Sequence, residues 1–217
     1  MNCISPTARL YGDVALGKNV IVEDYVILGH PLAREVNALM QGGAEIQFDK
    51  LYALAARGRV VVGDNSIIRA HSVIYTDVEI GSGFEGGHHI LIREGTRVGR
   101  AVYLKAFTEL MKNVSVGNEC RIAGLIADNA VLEDHVSVFG HVTHQYRTYV
   151  SRETAAERSQ PLRAAHICEG AIVGRGATVV GDVRIGRCAT IAAGTTVWFD
   201  VEDGSLVHGP RPTTKIT

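Results

Sequence analysis

An aliphatic residue returns every six positions along most of this chain. Counted in sixes from Val62, the series runs Ile68, Ile74, Ile80, Gly86, Ile92, Val98, Leu104, Leu110, Val116 and Ile122, and ten of these eleven are aliphatic. The same beat runs through Ile4, Leu10, Leu16, Val22 and Leu28, and again through Ile167, Val173, Val179, Ile185, Ile191 and Val197. A four-residue step from Ile122 to Ile126 precedes Leu132 and Val138. A free helix repeats its buried face every 3.6 residues or so and a half-buried strand about every 2, so a period of six suits neither alone. It suits a coil of short strands and corners, with one aliphatic side chain per side pointing inward. Each turn then buries its apolar face only against the turns above and below.

Composition agrees with a coil. Only 6% of the 217 residues are aromatic, so the core must come from Val, Ile, Leu and Ala, and 24 glycines against five prolines suggest many tight corners. A formal net charge of -1 argues against a general binder of nucleic acid or membrane surfaces. Cys3, Cys120, Cys168 and Cys188 form no CxxC pair and read as small buried hydrophobes in a reducing compartment. The opening MNCISPTARLYGD lacks the basic and apolar regions of a signal peptide, and no apolar run nears the roughly 20 residues of a membrane span. The expectation is a soluble, cytoplasmic protein.

Two segments break the beat. Residues 30–61 contain LAREVNALMQ and KLYALAAR, with helix-like apolar spacing, and residues 144–166 contain a capping-box pattern at Thr154 and Glu157. Loops of this length in a compact protein are usually functional or disordered, and function is the expectation here. The chain then divides into a coil domain, 1–199, interrupted by loops 30–61 and 144–166, and a C-terminal tail, 200–217.

The hexads resemble those of the hexapeptide-repeat acyltransferase superfamily. The resemblance implies an all-β fold, a left-handed parallel β-helix (hexapeptide solenoid) with 18 residues per turn, from which the two loops protrude. It also implies a homotrimer with active sites between neighbouring coils. The run IRAHSVIYTDVEIGSGFEGGHHILIRE, from Ile68 to Glu94, is similar to a subgroup that acylates amino sugars, often nucleotide-linked, through Gly87, His88, Ile90, Ile92, Arg93 and Glu94. The entry Leu28-Gly29-His30-Pro31 resembles the same subgroup. The chain departs from it at His89, where Gly is preferred, at His141, where Asn is usual, and over YLKAFTELMK.

Acyl transfer needs few parts, because a thioester is already activated. The protein must hold the donor, orient the acceptor and manage one proton. A histidine titrating near neutrality can take that proton from an attacking amine or hydroxyl and return it to the leaving thiolate. His88, at the family position beside Gly87, is the expected catalytic base. At 18 residues per turn His71 stacks under His89, and His141 joins that column if the short step counts as one side. His89, His71, Glu94, His141 and His144 form the expected acceptor site. The resemblance places an acetyl-CoA or other acyl-CoA co-substrate along the small-cornered C-terminal coils, with Arg175, Arg187, Arg211 and Lys215 for its phosphates. The expected partner is a small acceptor, an amino sugar or sugar nucleotide.

Three alternatives stand beside this reading. One is O-acylation of a sugar hydroxyl or of a small antibiotic-like acceptor. Another is a zinc site like that of the γ-class carbonic anhydrases, although the spacings 88/89, 135/141 and 141/144 lack the five-residue pair of that family, so no metal is expected. The third is a catalytically silent scaffold.

Overall fold

Among the described residues each strand pairs in parallel with the strand one turn away, so twenty-seven short strands gather into three long sheets. The structure, a computed structural model, describes residues 1–41, 58–144 and 163–209. Face 1 has ten strands, from Cys3–Ile4 to Leu206–Val207; face 2 has nine, from Arg9–Leu10 to Thr196–Val197; face 3 has eight, from Asp13–Leu16 to Arg184–Ile185. The result is the expected left-handed parallel β-helix. Pairs such as Ile68 with Gly86 and Gly86 with Leu104 stand 18 residues apart. Among the described residues there is a single helix, α1 (Ala33–Gln41), and no helix is long and apolar enough to cross a membrane.

The aliphatic residues of the six-residue series form the core. Ile68, Ile74, Ile92, Leu104, Leu110 and Ile122 are fully buried. Gly86 interrupts the series because Phe84, itself buried, fills its place: a Cβ on Gly86 would lie 2.8 Å from the Phe84 ring. A second inward position lies two residues before each aliphatic. Where it carries Ser66, Ser72 or Thr108, the buried hydroxyl donates to a backbone carbonyl three residues earlier, at 2.7–2.8 Å. That bond satisfies a group that would otherwise be costly to bury.

Many corners use a residue in the left-handed region of backbone space. Asn19, Asn65, Ala101 and His135 hold it between faces 3 and 1, and Tyr25, His71, His89 and Phe107 hold it between faces 1 and 2. Asn, Asp and His are enriched in this conformation, which partly explains the imidazoles at the corners. His89, and not His88, is the residue that turns the chain.

Three sequence expectations change. The four-residue step at Ile122–Ile126 does count as a full side, since Leu110 pairs with Ile126. A second short side follows from Val138 to Val142, and Ile126 pairs with Val142. It shifts His141 out of the corner column and onto a face 2 strand, His141–Thr143. The coil also continues past residue 199: Val201 is buried and bridges Ile185, and Leu206–Val207 pairs with Thr190–Ile191. Of the cysteines, Cys120 and Cys168 are buried as expected, and burial pushes the Cys120 thiol up to about 11, whereas Cys3 and Cys188 are exposed. The helix-like KLYALAAR, the pattern at Thr154 and Glu157, Arg211 and Lys215 lie outside the described residues.

Candidate functional site

Both inserted segments leave the coil from the same corner line, edge 2/3 between faces 2 and 3, and a polar concavity lies beside the first. The first segment leaves the coil at Leu28-Gly29-His30-Pro31. Gly29 has φ +83, and the register slips between Leu28 and His30 against the next strand. No other residue fits there, because a Cβ on Gly29 would lie 2.0 Å from the Tyr11 carbonyl oxygen. The bulge sets the His30 ring on Tyr75, centroids 4.6 Å apart, and the Arg93 guanidinium covers the Tyr75 ring at 4.4 Å. Desolvation by burial holds His30 below the usual imidazole range, more than its Nδ1 contact with the Pro31 carbonyl (3.0 Å) raises it. His30 is therefore neutral near pH 7, with its proton on Nδ1.

Past Arg93 the cavity, about 480 Å³, is lined by Leu32, Arg34 and Glu35 at the start of α1 and by Arg93, Glu94 and Lys112 on the coil. Glu35 is occupied in capping α1, its carboxylate accepting the Leu32 N–H at 3.0 Å. Glu94 accepts from Arg93 Nε at 2.9 Å and lies 3.3 Å from Lys112 Nζ, with its side chain only 17% exposed. Burial pushes the Glu94 carboxyl up, but the hydrogen bonds and charges of Arg93 and Lys112 outweigh it and hold the group below the ordinary glutamate range. A carboxylate lowered on folding contributes stability above its unfolded pKa of about 4.3, and that contribution is lost as pH falls through the folded value. Glu94→Gln therefore flattens the acid limb of the stability curve below about pH 4.3. Urea titrations across that range that overlay the parent protein's would show that the Glu94 carboxylate does not hold the edge together.

A polar ladder climbs edge 2/3 from the cavity. The Lys112 N–H donates to Asp128 Oδ1 (2.9 Å), Asn113 Nδ2 donates to Asn129 Oδ1 (3.1 Å), and His144 Nε2 lies 3.1 Å from the Asp128 carbonyl oxygen. A carbonyl can only accept, so His144 carries its proton on Nε2, and in the neutral ring Nδ1 holds the lone pair.

The predicted residues do not converge within one chain. His88, His89 and His71 lie on edge 1/2, the corner line between faces 1 and 2, where Tyr25, His71, His89 and Phe107 stack at 5.1, 4.9 and 5.1 Å with rings within 14° of parallel. The predicted stack of His71 with His89 is present. His88, beside it, is exposed, and among the described residues nothing engages its ring. Gly87 lets the neighbouring turns close up at this point, since a Cβ there would lie 2.5 Å from the Ala106 nitrogen. Glu94 sits a full side away, on the order of 15–20 Å, and His141 and His144 lie three turns higher, about 14 Å. His141 Nδ1 accepts the Leu125 N–H at 3.2 Å, which fixes the proton of its neutral ring on Nε2. Of the expected donor residues, Arg175 is exposed at edge 1/2, and Arg187, between faces 3 and 1, pairs with Glu169 at 3.4 Å.

Sequence reasoning had not singled out Tyr75, Lys112 or Asn113. Arg93 and His30 entered it only inside motifs. The available signal was positional: Glu94, Lys112 and Asp128 each stand two residues past the inward aliphatic of successive face 2 strands and stack once 18- and 16-residue turns are distinguished.

No family model matches the chain. It is 31% identical over 193 residues to the bifunctional protein GlmU of Paraburkholderia phymatum, an alignment covering 84% of this chain and 41% of that one. It is 30% identical over 203 residues to GlmU of Paraburkholderia xenovorans, covering 88% and 43%. The chain thus spans about two fifths of the length of these relatives. Among solved structures, the UDP-N-acetylglucosamine acyltransferase from Campylobacter jejuni superposes with a TM-score of 0.54 at 15% identity, over 96% of this chain and 72% of that one, which shows the fold. With its hexad core, its three parallel sheets and these relatives, the chain belongs to the hexapeptide-repeat, left-handed β-helix acyltransferase superfamily.

Proposed function

We propose that the protein transfers an acetyl or other short acyl group from an acyl-CoA to an amino sugar, probe substrates being nucleotide-linked amino sugars, with His88 as proton acceptor. The observation that carries the reading is the division of labour along one turn of the coil. Edge 2/3 offers a half-buried carboxylate, Glu94, between the cations Arg93 and Lys112, next to Arg34. That set suits an acceptor with both an amine and phosphates. Edge 1/2 offers, at His88, an imidazole that nothing engages among the described residues.

The amine nitrogen attacks the thioester carbonyl, the C–S bond breaks as the tetrahedral adduct collapses, and the amine's proton passes through His88 to the departing thiolate. The two edges of one chain are too far apart to act on one small acceptor, so the complete site lies between copies, in the homotrimer this reading includes. A second reading has its own observation: the Asp128 carbonyl orients His144 with a basic Nδ1, as a positioned base requires.

The test is a thiol-release screen of the purified chain with several acyl-CoAs and a panel of amino-sugar and hydroxy-sugar nucleotides. Free thiol should appear only with donor and an amino-sugar acceptor together, and the same preparation should sediment at about three times the 23.3 kDa chain mass. Thiol release with hydroxy sugars alone would turn the reading to O-acylation. None with any acceptor would remove it.

A further inference from the structure

We propose a zinc-class metal site formed by Glu133, His166 and Cys168, away from both edges described above. Their donor atoms all lie within 4.8 Å of one another, and they join two successive turns of the coil. Thiolate, imidazole and carboxylate together select a borderline-soft divalent ion such as Zn²⁺ over Mg²⁺ or Ca²⁺. At metal–ligand distances of about 2.0–2.3 Å, tetrahedral donors stand roughly 3.3–3.8 Å apart. The Glu133–His166 pair, now at 2.8 Å, would part slightly, and the wider pairs, within 4.8 Å, would close by only about an ångström. Water would complete the set.

Three features of the surroundings support this assignment. The position that follows each face 3 strand is Gly17, Gly63, Gly81, Gly99, Gly117 and Gly186 on six of the turns, and on each of these a Cβ would meet the next turn within 2.3–2.7 Å. Glu133 and Cys168 occupy that same position on the two turns between Gly117 and Gly186, so side chains replace glycine where the coil must open to admit them. The carboxylate is also aimed in advance. Glu133 Oε2 accepts the Glu169 N–H at 2.9 Å, which leaves Oε1 facing His166 Nε2 at 2.8 Å. A metal would take the place of the proton between those two atoms, and the outer hydrogen bond would keep the ligand oriented. Finally, the guanidinium groups nearby are already neutralised, Arg184 by Asp203 at 2.8 Å and Arg187 by Glu169 at 3.4 Å.

Binding would form an S–metal bond at the buried Cys168 and release its thiol proton to solvent. The role is structural. Val131 and His166 pair across 35 residues instead of 18, because the second inserted segment lies between them. An ion held by Glu133 on one side and His166 and Cys168 on the other would fasten the two turns across that long closure.

The experiment uses the full chain without an affinity tag, carrying Cys3→Ser and Cys188→Ser to remove the exposed thiols. Titration of the metal-free protein with Co²⁺ should give one ion per chain and a thiolate-to-cobalt charge-transfer band that Zn²⁺ displaces. Zn²⁺ should raise the melting temperature. Cys168→Ser should abolish the band, and His166→Ala or Glu133→Gln should weaken the affinity by at least about tenfold. His166 lies on the surface, so its variant folds even where Cys168→Ser does not. Chelation should lower the melting temperature and leave thiol-release activity per folded protein unchanged. Absence of the band, a band that survives in Cys168→Ser, or an affinity indifferent to His166→Ala would each overturn the site.

Discussion

With His88 as the proton acceptor proposed above, replacing it by alanine should lower kcat for acyl transfer by roughly 10²–10⁴-fold, the range expected for losing a general base. Thermal stability should hardly move, because the ring is exposed and engages nothing among the described residues. The neighbouring His89→Ala should behave in the opposite sense. It removes the third ring of a four-ring stack and puts alanine at φ 57, so melting temperature or acceptor KM should change more than kcat. His89→Asn, which tolerates the left-handed corner, should recover part of the stability and none of the stacking. The decisive comparison is made at saturating donor and acceptor. An undiminished kcat in His88→Ala together with a collapsed one in His144→Ala would move the proton transfer to edge 2/3.

Leu104→Ala should cost about 2–5 kcal/mol, the range for removing a fully buried leucine where the surroundings cannot collapse. The site cannot relax easily. Leu104 pairs between Gly86 and Ile122, and the Gly86 turn is already filled by the rigid Phe84 ring. Denaturant titration at several protein concentrations would separate this loss from any effect on assembly. A cost below about 1 kcal/mol would show that the stacked turns re-pack as freely as a loose core.

The coil was legible because one position in six is aliphatic and buried on turn after turn. Ile68, Ile74, Leu104 and Leu110 state the period outright, and even Gly86 is an exception with a visible cause in Phe84 two residues before it. Positions were lost where the period changes. In VFGHV the side from Val138 to Val142 is two residues short, and missing it placed His141 at a corner when it belongs to a strand. The candidate site was harder to read than the fold for the same reason. His88, His89 and Glu94 are neighbours in sequence but face different edges, while Glu94 and Lys112 are distant in sequence and touch. Histidines attract notice by their chemistry alone. A lysine one turn above a glutamate attracts none until the length of that turn is known. Glu133, His166 and Cys168 were hidden further, because the second inserted segment lengthens their turn to nearly twice the usual count.

The three short sides, Ile122–Ile126, Val138–Val142 and Val197–Val201, also bear on how such a chain can change in length. Each turn that contains one holds 16 residues instead of 18, and the aliphatic side chains still point inward. Each short side lacks two residues, an even number, at a corner that no strand crosses. Removing one would reverse the facing of every later strand and send the core outward along the rest of the coil. Paired deletions at corners, or insertions of any length where edge 2/3 already opens, are therefore the tolerated edits, and single-residue deletions elsewhere are the lethal ones. The coil carries a parity rule: length varies freely at its doorways and only by twos along its walls.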